Sequence, residues 1–287
     1  MTGIFVVDKP SDWTSHDVVN KMRGILHEKR VGHSGTLDPM ATGVLVVFSG
    51  RATRAVQFAE ADDKEYVAGI KLGIKTNTQD ITVEVLEKTD SIPNIENIIR
   101  VIDKFRGEIQ QIPPMYSAIK IDGKKLYDLA RQGMTVERKP RTVNIKKLEI
   151  LSGEKDEFLL DIECSKGTYV RTLCNDIGEN LGCGACMSSL RRIRAGVFTE
   201  EDSHTLEEIS EDPEKYVLPI DTLFKNYDEI VVRYNQEKLI RNGNQFNVHK
   251  KDGIYRVYSE NHEFLMIGAV ENNCCRTIKS FFEVNNG

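Results

Sequence analysis

Apolar positions along the chain fall into two periods. "GIFVVDKP", residues 3–10, is a run of strand length closed by proline, and it predicts a short buried strand. In "TSHDVVNKMRGIL" the apolar residues Val18, Val19, Met22, Ile25 and Leu26 return every three or four positions, which predicts an amphipathic helix. Thr14 is its N-cap, with Asp17 three residues on. A glycine-rich loop follows, then "GVLVVFSG" and "YVAGIKLG" as strands. "NIENIIRVIDKFRG" predicts a second helix, with Ile95, Ile98, Ile99, Ile102 and Phe105 on one side and Gly107 as its stop. Paired prolines keep "QIPPMYSAIK" out of regular structure. "KKLYDLARQG" reads as a short helix stopped at Gly133, "TVNIKKLEIL" and "FLLDIECSKG" alternate as strands, and "TYVRTLCNDIGENLG" predicts a helix ending at Gly182.

This irregular mixture favours an α+β fold over a doubly wound sheet. The acidic, helix-prone stretch from Glu200 to about Lys225 reads as a connector. Beyond it, "EIVVRY", "YRVYS" and "EFLMIGAV" are short runs separated by turn residues, the pattern of a small all-β module. The expected boundary lies near Asp228, dividing the chain into 1–227 and 228–287.

Composition adds limits. The longest strongly apolar stretch, Val44–Phe48, is far below the roughly 20 residues that span a bilayer. The N-terminus has no basic region and meets Asp8 early, so a cytoplasmic protein without membrane contact is expected. Six cysteines without a secretory signal are expected to be reduced thiols. Cys183 and Cys186 form a C-x-x-C, but no second pair stands at zinc-site spacing, so no metal site is expected. The net charge of −5 hides two opposite segments. Residues 100–147 carry twelve Lys/Arg against five Asp/Glu, and residues 200–229 two against eleven. The basic segment, interleaved with Tyr116 and Tyr127, suits a phosphate-rich partner.

The candidate chemistry centres on "GHSGTLDPMATGVL", residues 32–45. An Asp-Pro pair is an ordinary turn starter, because proline restrains the residue before it. The same restraint fixes the direction of the Asp38 carboxylate, and Gly32, Gly35 and Gly43 would let a large ligand approach the backbone. No dinucleotide or phosphate-loop glycine pattern is present, and His33 beside Ser34 makes no nucleophile elbow. What remains is one carboxylate on a shaped loop, a basic face and no visible cofactor site.

The loop resembles the catalytic loop of the TruB family of tRNA pseudouridine synthases. "DKPSDWTSHDVV", "KEYVAGIKLGIKTNTQD", "QIPPMYSAIKIDGKKLYDLARQG", "CSKGTYVRTLCNDIGENLGCGA" and "LRRIRAGVF" resemble its other motifs, in the family's order, from Gly3 to about Phe198. The tail, most clearly at "IRNGNQF", resembles the family's small β-rich domain of PUA type. The resemblance implies a catalytic domain with a mixed, mainly antiparallel central sheet and an RNA-gripping insertion at about 105–142. It implies isomerisation of uridine to pseudouridine at position 55 of the tRNA T-loop, without a cofactor, by breaking the N-glycosidic bond and rejoining through C5. The expected partner is the tRNA T-arm, with no obligate protein partner and a monomeric chain.

Residue by residue, Asp38 matches the family's catalytic aspartate and Arg171 the arginine that pairs with it. Tyr66 matches the tyrosine that stacks on the uracil. Tyr169 and Leu190 match pocket residues, His33 a residue that enters the T-loop, and Asp80 a motif acid that organises the site. Taken without the resemblance, Tyr66 reads as strand packing, Tyr169 and Leu190 as helix packing, and Arg171 as a surface arginine. Lys9 and Pro10 match a motif that supports the catalytic loop. Asp12 and Thr82 stand where the family usually has glycine, Asn77 where it has aspartate, and Cys186 where it often has histidine. Other readings are an RNA-binding or RNA-folding protein, a guide-RNA-dependent synthase and a glycosidic hydrolase. The Asp38–Tyr66–Arg171 set argues against pure binding, and the absence of a second acid near Asp38 against the hydrolase.

Overall fold

The structure, a computed structural model, describes residues 1–117, 119–121 and 123–283. In chain order the elements that frame the site are β1 (Gly3–Lys9), α1 (Ser15–Leu26), β2 (Val31–Ser34), β3 (Thr42–Ser49), β4 (Lys64–Leu72), α2 (Ile95–Asp103), β5 (Gly107–Gln111), β6 (Arg141–Glu154), β7 (Glu157–Cys164), α3 (Val170–Leu181) and β8 (Ala185–Ala195). The strands join one sheet in the order β1-β3-β8-β4-β7-β6-β5, with β2 added beside β3. Every step is antiparallel except β3–β8, which run parallel where Thr42 meets Arg191 and Gly43 meets Arg192. The fold is therefore α+β with a mixed, mainly antiparallel sheet.

α1 starts where its capping residues predict. The Thr14 hydroxyl accepts from the Asp17 amide at 3.1 Å, and the Asp17 carboxylate accepts from the Thr14 amide at 2.9 Å. Val18, Val19, Met22 and Leu26 bury into one core with Phe5, Val7, Leu45 and Val47, while Ile25 stays at its edge.

Several elements differ from expectation. The glycine-rich loop opens as strand, since Val31–Ser34 pairs with Val46–Ser49 of β3. On α2, Ile98, Val101 and Ile102 are buried, whereas Ile95 and Ile99 are 49% and 46% exposed. A nine-residue helix lying on α3 covers only a narrow stripe, which Val101 completes. The helix ends at Asp103, and Gly107 opens β5. The central strand β8 shows no alternation in sequence because bulges at Met187/Ser189 and Arg192/Arg194 break its period of two. Leu190 thus lies on a strand, not a helix.

The tail holds β9 (Glu229–Val232), α4 (Tyr234–Arg241), β10 (Phe246–Asn247), β11 (Gly253–Ser259), β12 (Phe264–Glu271) and β13 (Cys274–Ser280), in the sheet order β9-β11-β12-β13-β10. It is β-rich but not all-β, because α4 packs Ile240 into its core. Phe281 and Ile267 share a second core with Ile4, Val46 and Phe48 on the first sheet. Phe264 stacks on Phe281 at 5.2 Å between ring centres, and the Tyr258 hydroxyl donates to Asp221 at 2.7 Å. No helix among the described residues is long and apolar enough to cross a membrane.

Candidate active site

Asp38 sits between two anchored neighbours. On one side, Ser15 at the start of α1 is buried, accepts from the Leu37 amide at 2.9 Å and donates to the Leu37 carbonyl at 3.2 Å. On the other, Lys9 at the end of β1 has no exposed surface. Its ammonium donates to the carbonyls of Pro10 at 2.8 Å, Trp13 at 2.5 Å and Pro39 at 3.0 Å. The Asp12 amide also donates to Pro39, at 2.8 Å. Burial lowers the Lys9 ammonium to about 8. Gly43 has a purpose other than ligand approach: at φ +94°, a Cβ there would lie 2.3 Å from the Arg192 carbonyl oxygen. Its bare backbone lets β3 and β8 meet.

Arg171 is the second residue of α3 and is buried, not on the surface. Its Nη2 lies 3.2 Å from Asp38 Oδ1, and its Nη1 lies 4.0 Å from Asp80 Oδ2. Nη2 also donates to the Tyr116 carbonyl at 2.6 Å, so the insertion between β5 and β6 reaches the site. A cation in the first turn of a helix opposes the helix dipole, and here two carboxylates offset it. Burial raises the Asp38 carboxyl, Arg171 pulls it back, and Asp80 adds to the rise.

Neighbouring hydrogen bonds hold these groups. Asp80 Oδ1 accepts from the Thr82 amide at 3.0 Å and its hydroxyl at 2.5 Å. Gln79, at φ +68°, accepts from the Thr172 hydroxyl at 2.8 Å and so ties the Asp80 loop to α3. Gln111 accepts from the Tyr169 amide at 2.8 Å and donates to the Tyr169 carbonyl at 3.1 Å.

A cavity of about 400 Å³ opens over Asp38. Tyr66, Tyr169, Leu190 and Arg171 line it, together with Lys64 and Arg192. Burial pushes the Tyr66 phenol up from its ordinary value. Asp80 and His33 do not line the cavity. Asp80 stands behind Arg171, and His33 lies on β2 with its Nδ1 buried and without a partner. Burial and the neighbouring Arg192 lower the His33 imidazole to about 4. Among the described residues no group of three or more His, Cys, Asp or Glu is placed to hold a metal ion.

Sequence reasoning did not single out Lys64, Gln111 or Arg192. The signal for Arg192 was the two-residue step from Leu190, which puts both on the cavity side of one strand. The site as a whole presents one carboxylate held by a guanidinium, an aromatic ring and a partly enclosed cavity. It can receive a planar base and bring Asp38 to a carbon or a proton of it.

Residues 23–170 match the model of the N-terminal domain of the TruB family of pseudouridylate synthases, and residues 171–225 that of the tRNA pseudouridylate synthase B C-terminal domain. The chain is 42% identical to a Clostridium kluyveri protein named tRNA pseudouridine synthase B, over 98% of this chain and 100% of that one. It is 44% identical to the protein of that name from Alkaliphilus oremlandii, over 95% and 94%. Among solved structures, a Cbf5-Nop10-Gar1 complex matches with a TM-score of 0.75 and 27% identity, covering 99% of this chain and 86% of that one. An H/ACA RNP bound to a substrate RNA containing 2'-deoxyuridine matches with a TM-score of 0.74 and 26% identity, again over 99% and 86%.

Proposed function

From the chain's membership of the TruB family of pseudouridylate synthases, we propose that it converts one uridine of tRNA, the T-loop uridine at position 55, to pseudouridine. The chain is an enzyme of the isomerase class. The observation that carries the finer reading is the Asp38–Arg171 pair at 3.2 Å on the floor of a cavity walled by Tyr66. The tRNA reading is favoured over a guided one by identity, 42–44% to the relatives named for tRNA against 26–27% to the ribonucleoprotein chains.

In this scheme the target nucleotide leaves the RNA stack, and Tyr66 and Leu190 receive the base. Tyr169 and Arg171 border the ribose side, and Arg171 favours the ionised form of Asp38 against the burial that raises its pKa. Asp38 then engages the nucleotide and the N-glycosidic bond breaks. The uracil turns, C5 joins the ribose, the C5 proton leaves and N1 gains a proton. No redox change occurs, so the step needs no oxidant or reductant. Asp80 positions Arg171, and His33 on β2 enters the T-loop. Residues 1–227 form the catalytic unit and residues 228–287 a PUA-like RNA-binding unit, in a cytoplasmic monomer.

The test is a T-arm hairpin labelled at uracil C5. The wild type is expected to release label from one uridine with nothing added. Asp38→Asn should be slower by about a thousandfold or more at unchanged thermal stability. No release by the wild type, or equal release by both, overturns the reading.

A further inference from the structure

We infer that Arg192 is a substrate-contacting cation: its guanidinium donates to a carbonyl oxygen of the excised uracil and holds the negative charge that the base carries while detached from the ribose. This rests on the function proposed above.

Arg192 lines the cavity and is 1% exposed. It stands in register with Tyr66 across β8 and β4. Its Nε donates to the Val44 carbonyl at 2.6 Å and its Nη2 to the Gly35 carbonyl at 3.0 Å, both neutral acceptors. Nη1 lies beside Gly35, where an added Cβ would be 3.2 Å from it, and the guanidinium also donates to the Tyr66 hydroxyl, so it borders the base-stacking ring.

No carboxylate among the described residues lies within ion-pair distance of Arg192. Its strand neighbours differ in this. Arg191 pairs with Asp8 and Glu200, and Arg194 with Glu65 and Glu163. Arg171 has Asp38 and Asp80. A second buried cation flanks Gly35: Lys64 Cε would lie 3.6 Å from the same Cβ. Among the described residues the Lys64 ammonium donates to the carbonyls of Ala59, Glu60 and Asp62. Lys64 has the Asp62 and Asp63 carboxylates nearby, so of the two it is Arg192 that is buried without an anion, which is costly to the folded state. Such an arrangement is expected where an anion visits during the reaction.

Depth selects which part of the substrate is met. A phosphate of the RNA backbone at the cavity mouth does not reach a side chain so enclosed, whereas a base inserted against Tyr66 does. When the C1′–N1 bond breaks, the base keeps the electron pair, and the charge spreads over N1, O2 and O4. The pair returns to C1′ as the C5–C1′ bond forms, the C5 proton is lost and N1 takes up a proton from solvent. The charge therefore exists only between the two bonds, so a donor aimed at it acts on the barrier and hardly on RNA binding.

The first experiment measures single-turnover conversion by Arg192→Lys in the full chain. On the uridine hairpin we expect slowing by about 100-fold with hairpin affinity little changed, and a lower melting temperature because lysine cannot hold both the Val44 and Gly35 carbonyls. On a 5-fluorouridine hairpin, scored by consumption of the nucleoside, the slowing should shrink to about tenfold, because fluorine itself stabilises the departing anion. Equal slowing on both hairpins overturns the inference.

If Arg192→Lys does not fold, the wild type decides. It is bound to a hairpin abasic at the target position and offered free 5-nitrouracil, an anion at neutral pH, or neutral uracil. The anion should bind about tenfold more tightly. Equal affinity overturns the inference. Failure of the wild type to convert uridine would instead remove the proposed function, and the nitrouracil assay would still test the anion site.

Discussion

Lys9 Nζ donates to the Pro39 carbonyl at 3.0 Å, from a side chain with no exposed surface, thirty residues earlier in the chain. The bond makes the end of β1 a support for the Asp38 loop. Two more carbonyls, from Pro10 and Trp13, complete the ammonium's shell. A charge is buried here because three backbone acceptors need donors.

That bond has a pH limit. Burial lowers the Lys9 ammonium from 10.5 to about 8, so its third proton is lost on the alkaline side well before that of an exposed lysine. The first-turnover rate of the wild type is expected to fall as pH rises through about 8. Lys9→Met should be slow and flat across that range, and less stable by about 1–3 kcal/mol, measured by denaturant unfolding.

His33 makes an acidic counterpart. Its folded value of about 4 lies below the ordinary 6.5. Between those values the unfolded chain binds a proton that the folded chain refuses, so this group's effect on stability worsens as pH falls. Cooling from pH effects shared by the rest of the chain cancels in a comparison of variants. From pH 7 to 5, the wild type should lose a few degrees more of melting temperature than His33→Asn.

Gly43→Ala should be strongly destabilising. The new Cβ would meet the Arg192 carbonyl at 2.3 Å, with φ held at +94°. Neither backbone can move without unpairing β3 from β8, so a loss of about 3 kcal/mol or more is expected in denaturant unfolding. Activity should fall with it, because Arg192 belongs to the cavity wall.

Asp12→Gly should do the reverse. Asp12 has φ +65° and its amide holds the Pro39 carbonyl. Glycine adopts that conformation without a side-chain penalty and keeps the amide. Thermal unfolding should show a gain of up to about 1 kcal/mol, set against the greater freedom of glycine in the unfolded chain.

Much of the fold was legible because it is written in local periods. The Thr14–Asp17 cap, the α1 face and the β6–β7 hairpin each follow from neighbours a few residues apart. β8 was not legible, because its two bulges erase the alternation that marks a strand. α2 was placed correctly but its face was misjudged, since four isoleucines compete for a contact stripe that only α3 defines.

The site divides in the same way. By itself the sequence determined which residue types stand in which motifs: Asp38 before a proline, Tyr66 in a strand, Arg171 at a helix start. Those are local facts, and resemblance reads them in order. The resemblance implied that Arg171 pairs with Asp38 and that Lys9 supports the loop; only the tertiary structure decided the 3.2 Å contact across 133 residues, the carbonyls that hold the Lys9 ammonium, and that Gly43 serves Arg192 instead of a ligand. The reason is physical. A side chain's charge partner and the space beside a glycine depend on which strands become neighbours, and the β3–β8 contact joins segments about 150 residues apart. No short-range pattern encodes that meeting.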